Sequence, residues 1–408
     1  MAVLEQPRQQ VAQDSEEPFL LSNSRGRRLL ASITAAHFSH HVSNSLLTPL
    51  LPLIRDAFAL SYAETGLLVS AYGISLGGSN APMGALADRI GSRPVIVIGL
   101  VLTGLLSLTL ATAGAYWQLL VLLVLLGLVA GSYHAPAAAL LARAFPQQVR
   151  GAALGLHITG GHLSLFITPV AAGLLVAATG TWRTSYVWLA AAPIVSAVLV
   201  WRLRVPATVR HAETGDRAGL LRSLVEVART VGPLVLLSIV FQMLHAALLA
   251  FMALYLVDAR SISPPLAAAY VGAPQVIGVL GSPLGGYLSD RLGRRAVILT
   301  GMVLVGPALF ALTIVPLELL PVALLAIGLA SALRQTVTEV LVMDSAPAHR
   351  RATVMGGYYM LFQQLGGIAA PLLGVLAGII GLGPTFGGIT FGLASASVLV
   401  LVAHRKLL

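Results

Sequence analysis

Long apolar runs, each about as long as a membrane-crossing helix, fill the chain from residue 29 almost to its end. A helix needs about 20 mostly apolar residues to cross the hydrocarbon core of a bilayer. Charged residues, Gly/Pro turns and interfacial aromatic residues divide these runs into twelve predicted spans. The predicted spans are residues 29–54, 62–87, 94–113, 117–141, 151–178, 184–203, 231–256, 265–289, 296–315, 318–342, 353–379 and 383–403. The pattern therefore predicts an all-α polytopic membrane protein.

A polar and basic stretch separates the first six predicted spans from the last six. This predicted cytoplasmic linker covers residues 204–230, so that the two halves are residues 29–203 and 231–408. Residues 1–28 are predicted to form a cytoplasmic tail, of which residues 1–24 lack apolar periodicity and are predicted to be disordered. We expect each half to be a separate bundle of six helices.

A short charged turn occurs once in each half. Gly84–Pro94 reads GALADRIGSRP and Gly285–Arg295 reads GGYLSDRLGRR. Glycine permits a tight reversal of the chain, arginine favours the cytoplasmic side, and aspartate near a helix end interacts with helix dipoles or with those arginines. The two copies pair Asp88 with Asp290, Arg89 with Arg291, Gly91 with Gly293, Arg93 with Arg295 and Gly99 with Gly301. The repeat indicates two related halves.

This turn resembles the loop signature of the major facilitator superfamily, G-x-L-a-D-R-x-G-r-[RK], and its weaker echo in the second half. The resemblance implies twelve transmembrane helices in two pseudo-symmetric six-helix bundles, with a substrate site between the halves near mid-membrane. It implies a secondary transporter that works by alternating access, with spans 1, 4, 7 and 10 lining the cavity. The cytoplasmic gate that it implies consists of Asp88, Arg89, Arg93, Asp290 and Arg291.

The composition agrees with a membrane protein and excludes other classes. Of the 408 residues, 57% are hydrophobic and 10% are charged, whereas soluble domains have about 25% charged residues. The chain contains no cysteine, which excludes disulfides, thiol catalysis and cysteine-ligated zinc. It also contains no phosphate-binding P-loop, so direct drive by ATP on this chain is unsupported.

The net charge of +10 lies mainly on one side of the predicted membrane. By the predicted topology, 21 of the 25 Lys and Arg residues share the side of the tail, the linker and the C terminus. Because basic residues mark the cytoplasmic side, we expect a bacterial inner-membrane protein with both termini in the cytoplasm. The charge then needs no nucleic-acid partner. The expected partners are the lipid bilayer, a small-molecule substrate and protons, and we expect a monomer.

Ionisable side chains inside the predicted spans are the first candidates for function, because a bilayer makes them costly. They form either the polar wall of a cavity, where a histidine can take up a proton near neutral pH, or hydrogen bonds between helices. The candidates for substrate contact are His40, His41, Asn44, His134, His245 and Arg334. His41 is also a candidate for proton coupling.

Span 10 carries two charged residues of different character. Arg334 stays charged and suits an anionic substrate group or a buried carboxylate, whereas Glu339 can take up and release a proton. The two residues are five positions apart and point about 140° apart on an ideal helix. We therefore expect them to have different partners. Glu339 is the second candidate for proton coupling.

The stretches around spans 4 and 5 resemble the fosmidomycin-resistance branch of the superfamily. The matching residues are His134 and Pro136, the Arg150-Gly151-Ala152 loop, and Gly160-Gly161-His162 followed by Pro169. This resemblance implies proton-coupled antiport that exports a small organic compound or drug. The energy source would be the proton gradient, with no cofactor.

Other functions remain open at this point. Arg334 and the histidines are also compatible with proton-coupled uptake of an organic anion, and histidine groups can ligate metals in a divalent-metal carrier, although no residue is assigned as a metal ligand. A receptor without transport is a further alternative. The H-x-x-H-H pattern at His37–His41 is typical of membrane di-iron enzymes, but these need several such boxes, and this chain has one. We therefore do not expect an enzyme.

Overall fold

The computed structural model describes residues 19–203, 217–345 and 351–407, and the regular structure within these ranges is helical. The α-helices are α1 Ser24–Asn44, α2 Leu47–Phe58, α3 Tyr62–Ile90, α4 Ser92–Ala111, α5 Tyr116–Ala130, α6 His134–Ala144, α7 Gln147–Thr179, α8 Arg183–Leu189, α9 Ala191–Trp201, α10 Arg217–Ala250, α11 Met252–Asp258, α12 Pro264–Leu292, α13 Arg294–Ile314, α14 Leu320–Ser345, α15 Arg351–Ile380 and α16 Leu382–Leu407. Each predicted span coincides with one helix or with two consecutive helices.

Three predicted spans are each broken into two helices at a proline. The breaks of one to three residues separate α1 from α2, α5 from α6, and α8 from α9. In each case the third residue of the second helix is proline, at Pro49, Pro136 and Pro193. Proline lacks the N–H that would bond to the carbonyl four residues earlier, so the first helix ends there.

Length and composition identify seven helices in the described ranges that can cross a membrane, or nine if each of two bent pairs is one span. Predicted spans 1, 2 and 11 are helical but fall outside this set. α1 carries histidines and arginines, α3 is rich in Gly and Ser, and the residues of α15 that were open to this test form the shorter apolar helix Gly366–Ile380. Of these three spans, span 1 is one that the resemblance places around the cavity.

The predicted boundaries of the tail and the linker differ from the observed helices. α1 begins at Ser24, inside the predicted tail, because the Asn23 side chain accepts a hydrogen bond from Gly26 N at 2.8 Å and caps the helix. α10 begins at Arg217, so residues 217–230 of the predicted linker are helical. Residues 1–18 and 204–216 lie outside the described ranges.

The two halves of the chain meet along long helix crossings. Helices α1–α9 pack among themselves, as do α10–α16, and the halves join where α3 crosses α15, where α7 crosses α12, and where α2 meets α11 and α12. At the first crossing, Ser70 Oγ donates to Gly367 O, and Gln364 Nε2 donates to Ile74 O at 3.3 Å. Backbone groups thus take part directly in the contact between the halves.

The repeated charged turn has the same backbone conformation in both halves. Gly91 joins α3 to α4 with φ 99° and ψ 147°, and Gly293 joins α12 to α13 with φ 88° and ψ 148°. A side chain at such a positive φ is strained, so glycine is required at both turns. The prediction of a tight glycine reversal is confirmed in both copies.

A second repeated glycine lets neighbouring helices approach closely. A Cβ at Gly99 on α4 would overlap Ser132, and a Cβ at Gly301 on α13 would lie 2.7 Å from Arg334 N on α14. Small residues permit such contacts between membrane helices. The packing of α13 on α14 therefore fixes the backbone of Arg334.

We expect Gly301→Ala to disturb the position of Arg334. The new Cβ would force α13 and α14 apart, at a cost of about 1–3 kcal/mol. The thermal midpoint of the purified protein should fall by several degrees, and binding of substrate should weaken. The control is Gly388→Ala on α16, where an added Cβ meets nothing within 4 Å. An equal midpoint in the two variants would contradict this account.

Candidate functional site

Histidine rings from three helices gather inside the N-terminal half. Neighbouring ring centroids are between 4.3 and 6.0 Å apart. The cluster, called the histidine cluster below, consists of His37, His40, His41, Tyr133, His134 and His157. It joins α1, the start of α6, and α7.

Local helix geometry explains how these side chains meet. On α1, residues four apart share one face, and Asn44 Nδ2 lies within hydrogen-bonding distance of His40 Nε2 at 3.1 Å. The break before α6 places Tyr133 and His134 beside α1, and Tyr133 OH donates to Ile33 O at 2.6 Å. Among the predicted site residues, His40, His41, Asn44 and His134 therefore do come together.

A second polar cluster surrounds Arg334 in the C-terminal half. Arg334 on α14 is 1% exposed. Its Nη1 donates to Ser238 O at 3.0 Å and to Ser238 Oγ at 3.1 Å, and its Nη2 donates to Gln242 Oε1. Thr338 Oγ1 lies 3.0 Å from Ser238 Oγ. This arginine cluster ties α14 to α10.

His245 and Glu339 lie at the edges of the arginine cluster. His245 lies 3.5 Å from Ser331 Oγ, and Glu339 Oε1 accepts a hydrogen bond from Gln335 at 3.3 Å. Glu339 and Tyr358 are both close enough to Arg334 to interact with its charge. As expected from their directions on the helix, Arg334 bonds to α10 while Glu339 bonds to Gln335 along α14.

The ends of α3 and α12 that carry Arg89 and Arg291 form what is called the arginine-rich face below. An ion pair joins the halves at the opposite face. Arg55 on α2 donates to both carboxylate oxygens of Asp258 on α11, at 3.0 Å from Nη2 to Oδ1. Tyr62 OH donates to Asp258 Oδ2 at 2.7 Å. Arg55 also contacts Asp56 within its own helix. The bidentate pair is of the strong, geometrically specific kind, and it links α2 of the N-terminal half to α11 of the C-terminal half.

The predicted gate residues lie at the arginine-rich face. Arg93, Asp290 and Arg291 each contact a residue of their own half. Asp88 and Arg89 are exposed. Arg93 Nη2 donates to Trp201 O at 2.6 Å, Asp290 pairs with Arg294 at 2.7 Å, and Arg291 lies over the ring of Tyr287. The ion pairs of Arg294 with Asp290 and with Asp344 at this face lie within the C-terminal half. The contacts described for Arg93, Asp290 and Arg291 therefore hold these residues to their own halves.

Several of these residues escape prediction from the sequence. Tyr133 directly precedes His134, and this adjacency is the one sequence feature that points to Tyr133 as a member of the histidine cluster. Arg55 and Asp258 end the first span of each half with opposite charges, and this sequence symmetry is a usable sign of a contact. Nothing in the sequence singles out Ser238 as the partner of Arg334.

A family model described as "Major Facilitator Superfamily" matches residues 33–371 and 234–406. The chain is 23% identical over 381 residues to the fosmidomycin resistance protein of Escherichia coli, covering 92% of each chain. It is 25% identical over 341 residues to the multidrug resistance protein MdtG of Escherichia coli, covering 81% of this chain and 83% of that protein.

Other relatives are named as transporters of hexuronate and of sulfoacetate. The chain is 24% identical over 280 residues to the hexuronate transporter of Bacillus subtilis. It is 26% identical over 282 residues to the probable sulfoacetate transporter SauU of Cupriavidus necator. The matches span 66% and 65% of those proteins.

Solved structures share the fold. A bacterial homologue of the human lysosomal transporter Spinster, in an inward-facing and unoccupied conformation, matches 95% of this chain and 96% of its own with TM-score 0.76 and 18% identity. The nucleoside transporter NupG (D323A mutant) matches with TM-score 0.74 and 16% identity, covering 91% of this chain and 99% of its own. The chain belongs to the major facilitator superfamily and is a multi-pass secondary transporter rather than an enzyme.

Proposed function

We propose that the protein exports a small organic compound or drug in exchange for protons. The observation that carries the proposal is one buried polar cluster in each half, at corresponding helices. The histidine cluster uses spans 1 and 4, and the arginine cluster uses spans 7 and 10. Substrates of transporters built from repeats bind between the halves near mid-membrane, so these clusters form the two walls of the proposed site. The likeness to resistance proteins supports export.

Uptake of an organic anion is the second candidate. Arg334 Nε is buried and has no hydrogen-bond partner among the described residues, and a buried guanidinium donor suits a carboxylate or sulfonate. The likeness to proteins named for hexuronate and sulfoacetate supports this alternative. Both candidates share one site and differ in the direction of transport.

The proposed cycle alternates between two states that differ in which face is closed. In one proposed state, the pair of Arg55 and Asp258 keeps its face closed, and the substrate enters from the arginine-rich face. The charge distribution supports a cytoplasmic location for that face and for both termini. In the opposite state, Asp88 and the other gate residues would form contacts between the halves that are present only there. A monomer suffices, because both clusters belong to one chain.

Measurements of substrate accumulation in cells distinguish export from uptake. We would test labelled phosphonates, lipophilic drugs, uronates and sulfonates one at a time. For an exported compound, cells that express the protein should accumulate less than control cells, and a protonophore should abolish the difference. Greater accumulation of an anion would support the second candidate. No difference for any exported class would contradict the proposal of efflux.

Breaking the ion pair between the halves should open the face that it closes. We expect Asp258→Asn to shift the population towards the opposite state by roughly tenfold, which corresponds to about 1.4 kcal/mol. The natural chain has no cysteine, so a single Ser70→Cys at the crossing of α3 and α15 can report opening. Labelling of this cysteine by a membrane-impermeant maleimide should become faster. The matched control is Asp56→Asn, since Asp56 also contacts Arg55 but lies in the same half. Equal labelling rates would contradict the role of Asp258.

A change at the arginine-rich face should slow turnover without affecting insertion. Asp88→Asn removes the charge that the gate needs in the opposite state, so we expect the transport rate to fall by about tenfold or more. Substrate affinity in the described state should stay unchanged, because Asp88 is exposed and remote from both clusters. Glu318→Gln is the control for loss of an exposed carboxylate. Normal transport by Asp88→Asn would contradict the gating role.

A further inference from the structure

We propose that His37, His41 and His134 together bind one divalent transition-metal ion of the zinc type within the N-terminal half. The three side chains each offer a ring nitrogen, and these nitrogens all lie within 4.8 Å of one another. The rings form a nearly equilateral triangle, with centroid separations of 5.0, 5.3 and 5.3 Å. Three nitrogens converging on one point is the arrangement of a three-histidine metal site.

The distances require only small side-chain rotations to receive an ion. Zinc–nitrogen bonds of about 2.0–2.1 Å in a tetrahedral site place the ligand nitrogens about 3.3 Å apart. The present separations of up to 4.8 Å would then close by up to about 1.5 Å, which ring rotation on α1 and α6 can supply. No movement of a helix is needed.

Hydrogen bonding prepares His37 as a ligand. His37 Nδ1 lies 2.9 Å from the carbonyl oxygen of His157, so Nδ1 carries the proton and donates it. The Nε2 atom then presents a lone pair, and it is buried with no hydrogen-bond partner among the described residues. The whole His37 residue is only 6% exposed. Metal-bound histidines typically donate their other ring N–H to such a carbonyl, and an unsatisfied buried acceptor is costly without a ligand.

The available ligands select the class of metal. The acidic residues of the N-terminal half within residues 29–203 are Asp56, Glu64 and Asp88, and each lies near an end of α2 or α3. The triad therefore offers neutral imidazoles alone, which suit zinc, cobalt, nickel or copper rather than magnesium or calcium. A fourth position stays open for water or an anion. His41 and His134 are half-buried, whereas His37 is buried.

The ion would be a bound ligand and not the transported species. All three ligands belong to the N-terminal half, whereas transported substrates bind between the halves. The metal would instead link α1 to α6 and stiffen this wall of the cavity. This proposal does not depend on the proposed direction of transport.

Binding of Co²⁺ and Zn²⁺ to the protein without an affinity tag tests the site. The purified protein in lipid nanodiscs is titrated with Co²⁺ alone, and the visible absorption of four-coordinate cobalt is followed; Zn²⁺ should then displace the cobalt. We expect saturable binding of one ion per chain at this site, and His134→Ala should weaken it by about a hundredfold. The matched control, His245→Ala, removes a buried histidine from the other half and should leave binding unchanged. Equal loss in the two variants, or no saturable binding by the unchanged protein, would overturn the proposal.

A second variant leaves all three ligands in place. A Cβ at Gly161 on α7 would lie 2.7 Å from His37 Cε1 and 2.8 Å from His37 Nε2. Gly161→Ala should therefore push the His37 ring out of position and abolish the cobalt spectrum, while the helical content measured by circular dichroism stays the same. An unchanged spectrum in a folded Gly161→Ala variant would place the metal elsewhere.

Discussion

Replacing Arg334 with alanine is expected to weaken the binding of a negatively charged substrate by about 10- to 100-fold. A hydrogen bond to a charged group contributes about 1.5–3 kcal/mol. Arg334 is the buried guanidinium of the arginine cluster, fixed by Ser238 and Gln242 with Nε free of a described partner. Equilibrium binding to the purified protein measures the change directly. A neutral compound of the same size should lose much less affinity.

Two further variants separate substrate contact from support of the helices. Arg334→Lys keeps the positive charge but loses the planar guanidinium group that donates to both Ser238 and Gln242. It should therefore retain only part of the affinity for the anionic substrate. Arg260→Ala removes an arginine that donates to Leu312 O on the opposite face and should not affect binding. Unchanged affinity in a folded Arg334→Ala variant would return Arg334 to a structural role between α10 and α14.

Replacing Glu339 with glutamine is expected to separate substrate movement from proton movement. Glutamine has the same shape but cannot take up a proton at neutral pH. Glu339 lies close enough to Arg334 for the two charges to interact, so its protonation would change how strongly Arg334 attracts an anion. Substrate-driven proton flux should fall by about a hundredfold. Exchange of labelled for unlabelled substrate across the same membrane should persist.

The control for this variant is Glu64→Gln. Glu64 is an acidic residue that caps α3 through Ser61, at 2.8 Å from Ser61 N, and lies outside both clusters. Its replacement should leave proton coupling intact. If Glu339→Gln retains full proton flux, the coupling residue lies elsewhere, and His41 becomes the candidate to test.

The sequence allowed prediction of the family, the helices and the location of the polar residues. The repeated charged turn gave the prediction of two related halves with a tight reversal in each. Gly91 and Gly293 both have the positive φ that such a reversal requires. Positions on one helix were also predictable. His40 and Asn44 are one turn apart and do contact each other. Periodicity and backbone chemistry are local properties, and they can be derived from neighbouring residues alone.

Contacts between distant helices were not predictable in the same way. Ser238 lies 96 residues before its partner Arg334, and Asp258 lies 203 residues after its partner Arg55. Which partner each arginine takes depends on how the helices are rotated and on close approaches such as that at Gly301. The helix α1 also begins at Ser24, before predicted span 1, because the cap at Asn23 extends the helix into a polar sequence.

The central claim, exchange of substrate against protons, is tested most directly by proton flux in proteoliposomes. The protein is reconstituted with known orientation, a pH-sensitive dye is trapped inside, and no membrane potential is imposed. A compound identified in the accumulation assay is then added outside. The account predicts that the interior becomes alkaline, with no change in liposomes without protein. Acidification would mean symport and contradict the proposed antiport, as would an unchanged pH with a compound that demonstrably binds.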